Sequence, residues 1–342
     1  MLAIDGSLRE GGGQILRTAL ALSLFTGREF RIENIRAGRE KPGLQRQHSA
    51  AVAAAAAVGQ AEVEGNDFGS QEVVFRPRQI APGEYSFSVG SAGSATLVLQ
   101  TILPALLTAR EPSVFVLEGG THNPNAPPFE FLAKTYLPLI NRMGPKVRAK
   151  LDRHGFYPAG GGKLRVTLEP AQQLESISLL KRSGILKSRA TAVVAHLPSL
   201  IAERELKVLK RELDLTVRDL RVDEVKSQGP GNVVSVEIES GTLTEVFTGF
   251  GELGVRAEQV AGRLAKDVRR YLESEVPVGE HLADQLLLPM ALAGSGSFVT
   301  MPLSSHALTN IEVIKWFLPV QVKISSISDS AVLVEAERSP LA

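Results

Sequence analysis

Gly11-Gly12-Gly13-Gln14-Ile15-Leu16-Arg17-Thr18-Ala19-Leu20-Ala21-Leu22 decides how this chain is organised, because the order of elements that it begins returns twice. Three glycines make a turn, and the apolar run after them predicts a helix to roughly Phe25. A strand around Phe30 to Ile35, a glycine- and proline-containing basic loop, an Ala-rich helix from about Gln47 to Val58 and two strands ending near Phe75 complete the unit. The second unit has the turn Gly90-Ser91-Ala92-Gly93, a helix to about Ala109 and a strand Ser113 to Leu117. The loop Gly119 to Pro128, a helix to about Met143 and strands near Val147 and Leu164 follow. The third has a turn at Gly279, a helix from about Leu282 to Ala293 and a strand Ser297 to Met301. It ends with the loop Pro302 to Asn310, a helix to about Phe317 and strands at Val320 to Ile324 and Ala331 to Glu335.

Each unit therefore reads as two helices and a four-stranded sheet, an α+β layer. Lys163 to Leu168 and Val320 to Ile324 alternate apolar with polar residues, as strands with one wet face do. Residues 182–276 fall outside the repeat, with helices expected at Leu200 to Leu213 and Val255 to Leu272 and strands at Thr216 to Glu224 and Val233 to Ile238. The expected division is a catalytic domain of residues 1–181 and 277–342, interrupted by a smaller inserted α/β domain of residues 182–276. Packing about a pseudo-threefold axis would turn the loops before equivalent helices toward one cleft.

Composition narrows the function. The net charge of +1 leaves nucleic-acid contacts to a local patch, and Arg36, Arg39, Lys41 and Arg46 supply one. No cysteine is present, so thiolate nucleophiles and cysteine-type zinc sites are excluded. The N-terminus lacks the layout of a signal peptide, and the apolar run Thr96 to Ala109 is broken by Gln100 and Pro104, so a cytoplasmic protein without a membrane partner is expected.

His306, in Ser304-Ser305-His306-Ala307-Leu308-Thr309-Asn310, lies where a loop meets a helix. Backbone N–H groups there suit a phosphate, and a neutral imidazole can attack phosphorus and later leave. The competing reading is a histidine that caps or packs the loop. Glu10 and Arg17 flank the glycine turn, as a cation-holding carboxylate and a phosphate-binding guanidinium, or as parts of a tight turn. The basic loop either grips phosphate oxygens or is merely solvated. Asp284, four residues after Glu280, is a helix-start acid or a carboxylate orienting His306 or a metal. His48, His122, His154 and His196 show no metal-ligand spacing and read as loop or packing residues.

Eight stretches, in order, resemble the RNA 3′-terminal phosphate cyclase family. The most specific are GSLREGGGQILRTAL at Gly6 to Leu20, RAGREKPGLQRQH at Arg36 to His48 and SSHALTNIEVI at Ser304 to Ile314. The resemblance implies the three-unit fold with an insertion. It also implies ATP and a divalent metal (Mg or Mn) as cofactors, and RNA with a 3′-phosphate end as substrate. A histidine takes AMP from ATP, passes it to the RNA 3′-phosphate, and the 2′-hydroxyl closes a 2′,3′-cyclic phosphate with loss of AMP.

Carried over by position, the nucleophile is His306 and the metal-associated acid Glu10. Phosphate handling falls on Gln14, Arg17, Arg36, Arg39, Gln47 and Gln100, and the acid near the histidine is Asp284, accompanied by Gln285. Adenine would stack between Pro127 or Pro128 and Phe250, with His281 where the family has a tyrosine. Two other readings share parts of the pattern: a non-catalytic cyclase-like scaffold of ribosome assembly, and an enolpyruvyl transferase-like enzyme.

Overall fold

The computed structural model describes residues 1–9, 11–241 and 243–339. The first unit contains strands β1 (Leu2–Asp5), β2 (Phe30–Glu33), β3 (Glu62–Glu64) and β4 (Val73–Arg76), with helices α1 (Gln14–Thr26) and α2 (Arg46–Gly59). The second has β5 (Glu84–Ser88), β6 (Ser113–Gly119), β7 (Lys146–Arg153) and β8 (Gly162–Glu169). Its helices are α3 (Ala95–Leu106) and a broken rod of α4 (Phe129–Phe131), a π-helical turn (Leu132–Tyr136) and α5 (Leu137–Arg142). The short strand β9 (Ser178–Leu179) precedes an insertion of β10 (Lys187–Ala195), α6 (Leu200–Glu212), β11 (Leu220–Glu224), β12 (Gly231–Ser240), β13 (Leu243–Phe250) and α7 (Ala257–Ser274). Helix α8 (Glu280–Ala293), β14 (Ser295–Thr300), α9 (Ser305–Phe317), β15 (Val320–Ser328) and β16 (Ala331–Arg338) finish the third unit.

The three unit sheets share one plan. Their orders are β1-β2-β4-β3, β5-β6-β8-β7 and β9-β14-β16-β15. In each, the first strand pairs parallel with the second and the remaining pairs are antiparallel. A parallel pair needs a crossover, and α1, α3 and α8 precede the second strand of their units. In the third unit the crossover is interrupted. Ser178 and Leu179 pair parallel with Ser297 and Phe298, and after the insertion Val278 bridges parallel to Thr300. The chain thus leaves the sheet edge after β9 and returns to the same edge.

The α+β layering expected from the repeat is what forms. Along β8 the burial alternates strictly, with Leu164, Val166 and Leu168 buried. The alternation in β15 is weaker in effect, because this strand is at the sheet edge and Ile324 remains 43% exposed. Two insertion strands, β10 and β13, are not evident in the sequence: KSRATAVVA and LTEVFTGF lack clear period-two patterning because most of their residues are at least partly buried.

Helices α1, α2, α3, α8 and α9 pack on one another, and one apolar cluster joins all three units. A second apolar cluster gathers Ala190, Val194, Leu206, Val236, Leu264 and Tyr271, together with Met301 and Ala331 of the third unit. No helix among the described residues is long and apolar enough to cross a membrane.

Within that second core, Glu205 is fully buried between α6 and β12. Asn232 donates to one carboxyl oxygen at 2.9 Å, while the other has no partner among the described residues. Burial therefore pushes the Glu205 carboxyl up to about 7. The folded chain keeps this proton where the unfolded chain, with an ordinary carboxyl near 4.5, has lost it. Its contribution to stability thus falls as pH rises from about 4.5 to about 7, by up to about 1.4 kcal/mol per unit. Glu205→Gln is expected to flatten that slope and to be the more stable protein at alkaline pH. Denaturant unfolding of both proteins at acidic, neutral and alkaline pH checks this; parallel pH curves would refute it.

Candidate active site

His306 is delivered by a helix start. The hydroxyl of Ser304 accepts the Ala307 N–H at 3.2 Å, and the Ser304 carbonyl accepts the Leu308 N–H. Helix α9 therefore begins at Ser305, several residues earlier than the loop expected to run to Asn310. His306 occupies the first turn, exposed, beside N–H groups that have no helical partner.

Opposite it stands the start of α1. Gly13 is the N-cap, and a Cβ there would run into the His48 imidazole. Glycine is thus required by close packing. His48 is 4% exposed, and burial, helped by the charges of Arg17 and Arg36, drives its imidazole down to about 3. It is a neutral ring whose Nδ1 accepts the Gln45 N–H at 3.2 Å.

Gln14, the next residue, connects the units. Its Nε2 donates to Asp284 Oδ1 at 2.7 Å, and its Oε1 lies 2.7 Å from His306 Nδ1. The Asp284 side fixes the amide orientation, because its acceptor needs the NH₂ end. An amide oxygen only accepts, so a ring hydrogen of His306 is on Nδ1, and in the neutral form of the ring Nε2 is the nitrogen with the lone pair. The Asp284 carboxylate is thus linked to the His306 ring through the Gln14 amide. The Asn310 side chain donates to the Asp284 carbonyl at 3.1 Å and to Oδ1 at 3.3 Å, and Gln285 donates to Oδ2 at 3.3 Å. Burial raises the Asp284 carboxyl, while Gln14, His306, Arg17 and Asn310 oppose the rise.

Around this chain is a cavity of about 60 Å³ lined by Gln14, Arg17, Gln100, Tyr136, Asp284 and Gln285. Gln100 donates to Gln285. The cavity draws on α1, α3, α8 and the π-helical turn, so all three units build it.

The other expected residues are placed less uniformly. Arg36 donates to the carbonyls of Lys41 and Gly43, so its guanidinium braces the basic loop from within. Burial and the neighbouring Arg39 lower its pKa. Arg39 is exposed on that loop. Gln47 accepts the Ser94 N–H at 3.1 Å and Arg46 donates to Gly90, which ties the basic loop to the second unit's turn. Pro127 accepts from Thr96 at 2.7 Å, and Pro128 is the N-cap of α4. Strand β13, which ends in Phe250, runs beside α4. His281 is exposed and shares a cavity of about 300 Å³ with Thr248, Arg270, Glu280 and Glu245. Glu280 pairs with Arg270 at 2.9 Å. Glu10 lies outside the described residues.

Sequence reading missed three supports. Buried Thr18 donates to Asn310 at 2.9 Å, one turn along from Gln14. Buried Glu245, pushed up to about 8 by desolvation, accepts the N–H of Gly279 at 2.5 Å and so lets the insertion hold the start of α8. His48 walls off the glycine turn. Only the i, i+4 spacing of Gln14 and Thr18 on one helix face was available as a signal; Glu245 had none.

The chain is similar to known proteins over most of its length. A family model described as RNA 3′-terminal phosphate cyclase matches residues 8–324. A relative from Koribacter versatilis (strain Ellin345), named RNA 3′-terminal phosphate cyclase, is 54% identical over 326 residues, which covers 95% of this chain and 92% of the relative.

Thr18→Val keeps the shape of the side chain but strands the buried Asn310 acceptor. A loss of about 1–3 kcal/mol is expected in urea unfolding. A change below about 0.5 kcal/mol would show that this bond does not hold α1 to α9.

Proposed function

Since the chain belongs to the RNA 3′-terminal phosphate cyclase family, we propose that it converts an RNA 3′-phosphate end to a 2′,3′-cyclic phosphate at the expense of ATP, through an AMP adduct on His306. The observation that carries the proposal is the Asp284–Gln14–His306 chain. It holds the proton on Nδ1 and presents Nε2 as nucleophile.

In the first step Nε2 attacks the α-phosphorus of ATP, an N–P bond forms, and the bond to the bridging oxygen breaks with loss of diphosphate. The ring becomes positively charged as its electron pair is used. The Gln14 carbonyl, itself polarised through Asp284, favours that charge at Nδ1–H. In the second step an oxygen of the RNA 3′-phosphate attacks the same phosphorus and the N–P bond breaks, returning the neutral ring. In the third, the vicinal 2′-oxygen attacks the 3′-phosphorus, its proton is lost, and AMP departs. A deoxy end cannot complete this step.

The donors fit a polyphosphate. We assign the N–H groups at the start of α9 and the Arg17 side chain to the anion; Gln100 and Gln285 line the same cavity as Arg17. Arg36 and Arg39, on the basic loop, and Gln47, in the first turn of α2, are assigned to the RNA end or the outer phosphates. Pro127, Pro128, Phe250 and His281 are assigned to adenine. A divalent cation (Mg or Mn) would supply charge neutralisation on phosphate oxygens, with Glu10 as its holder. Among the described residues, the Asp284 carboxylate is committed to Gln14, Asn310 and Gln285, so it is not assigned to that cation. We assign residues 1–181 and 277–342 to the catalytic domain and 182–276 to the inserted one, whose residues make up most of the second apolar cluster.

ATP labelled at the α-phosphate should leave a covalent adduct that is labile to acid and stable to alkali. His306→Ala should abolish it, and Gln14→Ala should slow its formation by roughly 10- to 100-fold. A fully labelled His306→Ala protein would remove the nucleophile assignment; labelling without cyclisation of a 3′-phosphate RNA would remove the substrate.

A further inference from the structure

Three residues with no readable spacing, His122, Glu130 and His154, meet at the loop Gly119 to Pro128, the proline loop. Strand β6 ends at Gly119, and the N–H groups of Thr121 and His122 both reach the Gly155 carbonyl, at 2.9 and 3.1 Å. The Gly155 N–H returns to Thr121 Oγ1 at 2.9 Å. The Phe129 N–H bonds the Thr121 carbonyl at 3.1 Å, which closes the loop on itself. These backbone bonds leave the imidazoles of His122 and His154 stacked at 5.0 Å, with Phe156 against both. His122 Nε2 is 2.7 Å from Glu130 Oε2, and one donor atom from each of the three residues lies within 4.8 Å of the others.

We propose that His122, His154 and Glu130 bind one divalent transition-metal ion of the zinc class, which fastens the proline loop to residues 154–156. The donor set supports the choice of ion. Two imidazoles and a carboxylate suit zinc, whereas magnesium and calcium prefer oxygen ligands.

The surroundings supply the orienting contact that metal-bound histidines use. His122 Nδ1 is 2.8 Å from Thr121 Oγ1. That oxygen accepts from Gly155 and has a second lone pair for Nδ1–H. In this tautomer the Nε2 lone pair and the Glu130 carboxylate converge, two electron-rich atoms that a cation between them would join. The ion-free alternative puts the proton on Nε2 and makes the 2.7 Å contact a hydrogen bond. Moving between the two shifts the ring proton and changes no net proton count.

The movement required is small. Zinc–ligand distances of about 2.0 Å place tetrahedral donors about 3.3 Å apart. The 2.7 Å contact opens and the 4.8 Å limit contracts, each within reach of side-chain rotation. The His122 side chain is fully buried and that of Glu130 is 22% exposed, so a water completes the fourth position from the open side. Asp223, on the inserted sheet and paired with Arg221, adds negative potential at His154.

The test uses the full chain stripped of metal. Titration with cobalt, read by its visible absorption, should show one tightly bound equivalent that zinc displaces. Zinc should raise the unfolding midpoint by about 3–5 °C. Partly exposed His154→Ala and Glu130→Gln should each weaken cobalt binding at least about tenfold while staying folded by circular dichroism. His306→Ala should keep it, which separates this site from the nucleotide centre. No bound-cobalt spectrum in the unaltered protein, or unchanged binding in both variants, would overturn the proposal.

Discussion

Each four-stranded sheet has one face that must be covered, and its own two helices do not suffice. That constraint shapes the molecule. Helix α1 packs on α3 of the second unit and α9 of the third, and α3 also meets α8. Burying these helices against one another brings the starts of α1, α8 and α9 together, where Gln14 meets Asp284 and His306. A polar centre at the helix starts is a consequence of covering the sheets, and the apolar core below it keeps the centre rigid.

Within that frame the centre depends on one amide. Gln14 has a donor end and an acceptor end at a fixed separation, and it spends them on Asp284 and His306 of another unit. A carboxylate in its place would face Asp284 with a second acceptor, and an apolar side chain would leave the histidine tautomer unfixed. The amide is held by its own setting: the bare Cα of Gly13 admits the neutral His48 imidazole, and Thr18 anchors Asn310 one turn further on. The insertion contributes at a distance, since Glu245 caps the helix that carries Asp284. A hundred-residue interruption is tolerated because the chain leaves and rejoins the same sheet edge, so the four-stranded pairing is not broken.

Much of the fold was legible because its signals are local. Glycine turns followed by apolar runs mark α1 and α8, and the alternation of Leu164, Val166 and Leu168 marks a half-wet strand. The start of α9 was misjudged for a local reason too: Ser304 was read as part of a loop, whereas its hydroxyl caps a helix. Strands β10 and β13 were hidden because burial on both faces erases the period-two pattern. That Arg36 donates to the carbonyls of its own loop was not legible, because nothing in a sequence tells which acceptors a guanidinium reaches.

The sequence by itself determined the elements, the threefold order, and the chemical types available at the helix starts. These follow from periodicity and capping, which act over a few residues. Only the tertiary structure decided which types touch. Gln14 meets residues 270 and 292 positions away, and His122 meets His154 across a loop. Such partners are chosen by how sheets and helices close-pack, and that is a property of the whole chain. The opening glycine turn shows both limits: its three glycines announced a tight approach, and the fold alone revealed that a histidine ring makes it.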